Sequence, residues 1–261
     1  MARGVAAESG STRKLAVVLD GLGNTHRDRG NLPGAREILH EVMALGRKSG
    51  DRYAKAIAHH DLMTVEKLSG DLDDAVLHGW EAVQAYDSEE GSLRALFDLA
   101  GVLRESGELS AARDAYTVVA RQVEGSEYYI LALDALAYIA ALEGEEGQYR
   151  ELRAKLDDEG WEEVSPVYRA QILYYQGLSC RSLGWEAEAE SWLRKALAFA
   201  EKHGLGKLIF DAEDALRQSP TPTAESDAGS LLQDPAGEGI LGVRKGLQEL
   251  RKTLVGAETY P

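Results

Sequence analysis

The sequence contains almost no cysteine, since Cys180 is the single one among 261 residues. One thiol forms no disulfide within the chain, which excludes a secreted scaffold held together by disulfides. Long apolar runs are also missing, because no stretch reaches the roughly 18 residues of a membrane span. The run at residues 15–19 is too short for the hydrophobic part of a signal peptide. We therefore expect a cytoplasmic protein without a membrane span.

Basic residues are also few relative to acidic ones. The chain has 29 lysine and arginine residues against 44 aspartate and glutamate residues, a net charge of −15. Such an acidic chain repels phosphate backbones, so we expect no nucleic-acid partner. Apolar residues make up 44% of the chain, which is enough to fill hydrophobic cores and excludes disorder as the main state.

A short segment led by glycine recurs five times. The copies read GNLPGA, GDLDDA, GELSAA, GEEGQY and GWEAEA, and they begin at Gly30, Gly70, Gly107, Gly144 and Gly184. Each copy lies between two stretches whose apolar residues recur at three- and four-residue steps, which is the period of an α-helix. Glycine readily adopts the left-handed conformation that ends a helix. Each block therefore predicts a helix, a tight turn and a second helix.

Polar residues predict where several helices begin. Ser165 precedes Pro166, the usual order of an N-cap and a first helical residue. Ser11, Asp51 and Ser126 are further N-cap candidates, because their side chains can accept hydrogen bonds from the free backbone N–H groups of a first turn.

The blocks resemble tetratricopeptide repeats. That family has a small residue near the end of the first helix (helix A), glycine in the turn, alanine early in the second helix (helix B), and a large residue four positions later. The small residue of helix A is here Gly23, Ala100, Ala137 and Gly177. The alanine of helix B is Ala35, Ala75, Ala112 and Ala189. The large residue is Leu39, Tyr116 and Leu193, and the departures from the pattern are Met63, Gly79, Tyr149 and Arg153.

The resemblance implies an all-α fold, a right-handed superhelical α-solenoid of helix-turn-helix repeats. It covers residues 11–217 as about five repeats of 37–40 residues and a capping helix, after a flexible N-terminus at residues 1–10. Residues 218–239 are rich in proline, glycine and carboxylates, which predicts a flexible acidic linker.

Residues 240–256 predict an amphipathic helix of net charge +3. Its apolar side chains recur at heptad-like steps, at Ile240, Val243, Leu247, Leu250 and Leu254. The rest of the chain carries a net charge of −18, so docking on the chain itself or on a second copy is favoured. Another protein or an anionic membrane surface are the alternatives.

In the family, helix A residues line a concave groove that binds peptides. The groove residues implied by the resemblance are Asn24, Arg27, His60, Thr64, Lys67, Arg94, Phe97, Arg104, Tyr138, Tyr174 and Arg181. Four of them share one repeat position, namely Arg27, Lys67, Arg104 and Arg181. We call these four the basic ladder. They either bind carboxylates of a partner or only complement the dipoles of their own helices.

The sequence offers little for catalysis. His59, His60 and Asp61 are consecutive, and neighbouring helical residues point about 100° apart, so all three cannot meet one metal ion. We predict no catalytic residue, no metal site and no cofactor. An enzyme that uses His60 and Asp61 is a less favoured alternative.

The leading functional hypothesis is a non-enzymatic scaffold or adaptor that binds a protein or peptide in the concave groove. A regulatory sensor gated by the C-terminal helix is the second hypothesis, and an accessory subunit of a larger complex is the third. Self-association through the C-terminal helix is compatible with each.

Overall fold

The computed structural model describes residues 12–218 and 237–257, and within them all regular structure is helical. The predicted all-α fold is therefore confirmed. Ser11, the predicted N-terminal segment and nearly all of the predicted linker lie outside the described residues. In the described ranges no helix combines the length and apolar character needed to cross a membrane.

Twelve α-helices occupy the described residues. They are α1 (Thr12–Asp28), α2 (Leu32–Ser49), α3 (Arg52–Ser69), α4 (Leu72–Ala85), α5 (Glu89–Glu105), α6 (Leu109–Gln122), α7 (Glu127–Leu142), α8 (Glu146–Asp158), α9 (Pro166–Ser182), α10 (Glu186–His203), α11 (Gly206–Arg217) and α12 (Glu238–Ala257). A 3-10 turn, Trp161–Glu163, precedes α9. In chain order α1 to α10 form five pairs of a helix A and a helix B.

The chain divides into two compact units. Among the described residues, unit 1 comprises residues 12–115 and 237–257, and unit 2 comprises residues 116–218. In unit 1 each helix from α1 to α5 packs against the next, and the A helices α1, α3 and α5 also touch in order. In unit 2 α7 packs on α8 and on α9, and α10 packs on α9 and α11. Within each unit this is the packing of an all-α solenoid of TPR-like repeats.

The five turns behave as the glycine pattern predicts. Each leading glycine has a left-handed backbone, with φ between 71° and 86°. Asp51 caps α3 by accepting hydrogen bonds from the backbone N–H groups of Tyr53 and Ala54, at 3.0 and 3.2 Å. The Ser126 hydroxyl accepts from the Tyr129 N–H in the same way. Ser165 precedes Pro166 as expected, but its side chain makes no capping hydrogen bond.

A large residue of helix B closes over a small residue of helix A within the same repeat. A Cβ atom added to Gly177 would lie 2.6 Å from Leu193 Cγ, and one added to Gly23 would lie 3.1 Å from Leu39 Cγ. Both contacts are internal to one helix pair. Their size complementarity sets how closely the two helices cross.

The second repeat reverses this arrangement. Its departures from the family pattern are Met63 on α3 and Gly79 on α4, and they meet each other. A Cβ atom added to Gly79 would lie 2.7 Å from Met63 Sδ and 2.9 Å from Leu99 Cδ1 of α5. The large side chain thus comes from helix A and the small residue from helix B. The two departures compensate each other, which keeps this helix pair closely packed.

The C-terminal helix α12 packs on α4, the B helix of the second repeat, within unit 1. Ile240, Val243 and Leu247 are buried there. Leu250 is 37% exposed. The side chain of Leu254 lies outside the described residues. The helix therefore docks on its own chain through the first part of the predicted apolar stripe.

Candidate functional site on the A-helix faces

The A-helix face of unit 1, formed by α1, α3 and α5, carries a polar network between the first two repeats. The Asn24 side-chain amide donates a hydrogen bond to Asp61 Oδ2 at 2.9 Å. Arg27 Nη1 lies 3.6 Å from the other oxygen of Asp61. Two predicted groove residues are therefore already bound to an acidic side chain of the next repeat.

Asp20 belongs to the same network. Burial raises its pKa to about 8, and the hydrogen bond to Asp61 and the negative charge of Asp61 act in the same direction, while Arg27 opposes them. A proton held between two carboxyl groups removes part of their mutual repulsion. Asp20 is therefore largely protonated at neutral pH.

His60 forms the corresponding link between the second and third repeats. Its Nε2 atom lies 2.9 Å from Asp98 Oδ2 on α5, and its Nδ1 atom lies 3.1 Å from the Tyr86 hydroxyl. The imidazole ring is buried and meets the Tyr86 ring edge-on, with the centroids 5.8 Å apart. Both ring nitrogens thus have protein partners. Asp61, its sequence neighbour, contacts Asn24 and Arg27 instead.

His59 points away from this face and joins the two helices of the second repeat. Its Nδ1 atom lies 2.9 Å from Nδ1 of His78 on α4. Burial lowers the pKa of His59 to about 4, and the nearby His78, Arg47 and His40 lower it further. His59 is therefore neutral at pH 7. Among the described residues no group of three or more His, Cys, Asp or Glu side chains is placed to hold a metal ion.

The basic ladder makes internal contacts. Lys67 Nζ lies 2.7 Å from Glu105 Oε1, and Arg181 Nη1 donates a hydrogen bond to the Ala215 carbonyl oxygen at 2.8 Å. Arg27 is bound to Asp61 as described, and Arg104 also interacts within the chain. A partner carboxylate would have to displace such contacts before it could bind. The use of the ladder for peptide binding stays a prediction.

The other predicted groove residues of unit 1 lie on the same helices. Thr64 and Phe97 are half-buried, and Arg94 is exposed. Arg94 lies beside the Tyr86 hydroxyl and opposes the rise that burial causes in its pKa. The network around Tyr86 and His60 therefore reaches the surface at Arg94.

Unit 2 has a cavity of about 330 Å³ between α9 and the capping helix α11. Its walls include two tyrosines, two aliphatic residues and two polar residues, namely Tyr174, Tyr175, Val167, Leu208, Gln171 and Asp211. We call it the Tyr174 cavity. The Tyr175 ring lies 5.1 Å from the Tyr138 ring and 5.5 Å from the Tyr174 ring, between centroids. Tyr138 and Tyr174, both predicted groove residues, thus meet through Tyr175.

The walls of the Tyr174 cavity are apolar with a few polar groups. Burial and the negative charge of Asp211 raise the pKa of Tyr174 to about 12, so its hydroxyl stays protonated at neutral pH. Aromatic rings with a polar edge give large contact areas at small cost in side-chain entropy. The cavity can therefore accept an apolar side chain of a bound segment while Tyr174 offers a hydrogen-bond donor.

The capping helix was assigned a structural role in the sequence, namely to cover the last apolar face. It does pack on α10, but it also supplies Leu208 and Asp211 to the cavity. Part of its apolar surface stays uncovered, since Phe210 is 63% exposed. A purely capping helix buries its apolar stripe more fully.

The helix pairs, left-handed turn glycines and consecutive packing define a helical-repeat protein, a class that presents extended surfaces to other proteins. Residues 15–49, which correspond to α1 and α2, match the family model described as Tetratricopeptide repeat. This match supports a tetratricopeptide repeat protein. A search of the curated proteins found none that matches it.

Proposed function

We propose that this protein is a non-enzymatic interaction scaffold that binds a segment of a protein partner, and that the Tyr174 cavity is its principal contact. The observation that carries the proposal is the cavity itself, with two tyrosines and an aliphatic wall open to solvent. Tyrosine is enriched among the residues that dominate binding energy at protein interfaces. Tetratricopeptide repeats as a class support a role in protein binding.

The contacts of unit 1 favour the cavity over the basic ladder. Arg27 and Lys67 already bind carboxylates of the neighbouring repeat, so a partner gains little by exchanging one ion pair for another. Apolar contact in the cavity replaces water instead and requires no internal contact to be broken. We therefore expect an apolar or aromatic side chain, rather than an acidic one, to anchor the partner.

Site-specific photocrosslinking tests this proposal in the full chain. A photoreactive amino acid at position 167, which is 45% exposed and lines the cavity, should crosslink a protein partner in cell extract. The same amino acid at position 194, on the exposed side of α10, is the control. Crosslinking at 167 without crosslinking at 194 is the expected result.

Variants then connect the crosslink to the tyrosines. Tyr174→Ala should weaken binding of the identified partner by about 1–2 kcal/mol, the usual loss at an aromatic anchor. Trp192→Ala, an aromatic truncation on the B helix of the same repeat, should leave affinity unchanged. Equal affinity of the Tyr174 variant and the wild type would contradict the proposal.

The position of α12 favours the regulatory hypothesis as a second function. A helix that docks on its own chain can occupy a surface that a partner needs. This helix lies on a B helix of unit 1, so the surface it would control is that B-helix face and not the Tyr174 cavity. If the protein is instead an accessory subunit that binds a complex through its B-helix face, the contact between α12 and α4 would control that binding as well.

A further inference from the structure

The surface beneath α12 combines an apolar centre with two acidic groups. Leu77 and Trp80 of α4 contact α12 along its axis. Glu108, just before α6, and Asp114 on α6 face it from the next B helix. We call these four residues the α12 seat. All four belong to unit 1, as does α12.

Glycines on α12 match the large side chains of the seat. A Cβ atom added to Gly246 would lie 2.2 Å from Trp80 Cζ2, and one added to Gly239 would lie 2.7 Å from Leu77 Cδ2. Gly242 lies between them in sequence, and a Cβ atom added there would meet nothing within 4 Å. The two contact glycines are seven residues apart, so they lie on one side of the helix, two turns apart. Only a helix with small residues at this spacing can lie so close to the Trp80 ring.

Charge completes the match. Arg244 forms a two-pronged contact with the Glu108 carboxylate, in which Nε lies 2.6 Å from Oε2. Arg251, seven residues later, pairs with Asp114, which is itself buried. Paired guanidinium and carboxylate groups of this geometry fix the position of a helix as well as its affinity. The seat therefore recognises a helix with paired small residues, an apolar stripe and arginines at heptad spacing.

The seat is not sealed by α12. Leu77 and Leu250 are each 37% exposed. Beside Arg251 a cavity of about 390 Å³ is lined by Ser110, Asp114 and Gln248, with Lys252 at its edge. The contact therefore leaves space beside the C-terminal part of α12.

We propose that the α12 seat is a docking surface for an amphipathic, arginine-bearing helix of a partner protein, and that α12 occupies it in the absence of that partner. The seat is acidic, in a chain whose net charge is −15, which selects a basic helix. The proposal concerns the B-helix face and does not depend on the Tyr174 cavity.

A labelled peptide of residues 237–257, which carries the recognised chemistry, is the probe. Its binding to the full-length chain is measured by fluorescence anisotropy, for the wild type and for Gly246→Leu, which places a side chain against Trp80 and releases α12. The variant chain should bind the peptide about tenfold more tightly or more, because the tethered helix no longer competes. Equal binding by the two chains would overturn the proposal.

A matched control uses a glycine of the same helix that does not touch the seat. Gly242→Leu changes the same residue type four positions earlier but points into open space. This variant should bind the peptide as weakly as the wild-type chain. Circular dichroism should show the same unfolding transition of the repeats in all three chains, and Gly246→Leu should lose at most the helical signal of α12. Leu247→Asp, a second way to release α12, should reproduce the effect of Gly246→Leu.

A charge exchange tests whether the peptide occupies the seat. Glu108→Arg in the Gly246→Leu chain should weaken binding of the wild-type peptide about tenfold or more, and an Arg244→Glu peptide should recover most of the loss. If neither Glu108→Arg in the chain nor Arg244→Glu in the peptide alters binding, the peptide binds elsewhere and the proposal is overturned. Sedimentation velocity should find the wild-type chain monomeric. A dimer that Gly246→Leu abolishes would assign the seat to a second copy instead of a partner.

Discussion

The reversed contact between Met63 and Gly79 gives the sharpest prediction about how the repeats are held together. In the first and fifth repeats a leucine of helix B packs over a glycine of helix A, whereas in the second repeat the methionine of helix A packs over the glycine of helix B. If size complementarity alone is required, the second repeat should tolerate a restored family pattern better than the sum of the two single changes predicts. The test is a double-mutant cycle with Met63→Ala and Gly79→Leu.

The magnitudes follow from the packing. Met63 is 2% exposed, so Met63→Ala should reduce the free energy of unfolding by roughly 2–5 kcal/mol. Gly79→Leu places atoms against Met63 Sδ and Leu99 Cδ1, which costs roughly 1–3 kcal/mol, offset by about 1 kcal/mol of improved helix propensity. In the double variant the leucine fills the space that the methionine leaves. We expect it to be about 1–3 kcal/mol more stable than the sum of the two single effects predicts.

Urea unfolding followed by circular dichroism and tryptophan fluorescence gives the four free energies of the cycle. Met63→Ala combined with Gly242→Leu is the control, because the added side chain at Gly242 meets open space and its effect should add to that of Met63→Ala. Additive effects of Met63→Ala and Gly79→Leu, within about 0.5 kcal/mol, would refute the compensation between these two positions.

Three further predictions concern charged groups. The pKa of His59 is lowered to about 4 in the folded state, so the unfolded chain binds a proton first as pH falls. The free energy of unfolding should therefore decrease from pH 6.5 towards pH 4, and this decrease should be smaller in His59→Gln. Unfolding midpoints measured across this pH range test the prediction. The raised pKa of Asp20 has the opposite consequence: the folded state keeps a proton that the unfolded state loses, so stability should fall as pH rises from 4 to 8, and Asp20→Asn should flatten this part of the same profile. Arg36→Gln should lower the free energy of unfolding in urea by about 1–3 kcal/mol, because the buried Glu66 carboxylate would lose the arginine that binds both of its oxygens. Adding Glu66→Gln to this variant should restore part of the lost stability.

The helices and turns were predictable because they depend on near neighbours in the chain. The glycine of each repeat segment adopts a left-handed backbone wherever that segment occurs, and Asp51 caps a helix with the N–H groups two and three residues later. These interactions are local, so their sequence pattern is sufficient. The exception at Ser165 is also local, since its hydroxyl makes no capping hydrogen bond although the position is that of an N-cap.

The candidate sites were predictable only in part. Tyr138 and Tyr174 follow from the repeat register, but the sequence did not indicate that α11 would form the opposite wall of their cavity. The basic ladder was predicted either to bind carboxylates of a partner or to complement the dipoles of its own helices, and neither alternative indicated that Lys67 binds Glu105 of the next repeat. The register places a residue on a helix face and leaves open which side chain of the neighbouring repeat reaches it.

The sequence by itself determined the repeat number, the helix order, the turns and the amphipathic character of the C-terminal helix, because helix period and glycine conformation are properties of short segments. Tertiary structure decided which groups meet: Asn24 with Asp61, His60 with Asp98, and Arg244 with Glu108, at separations of 37, 38 and 136 residues. Such contacts depend on how closely neighbouring helices cross and on the reach of single side chains. For the same reason the C-terminal helix has its place on α4, where the two glycines that face Leu77 and Trp80 fit these side chains.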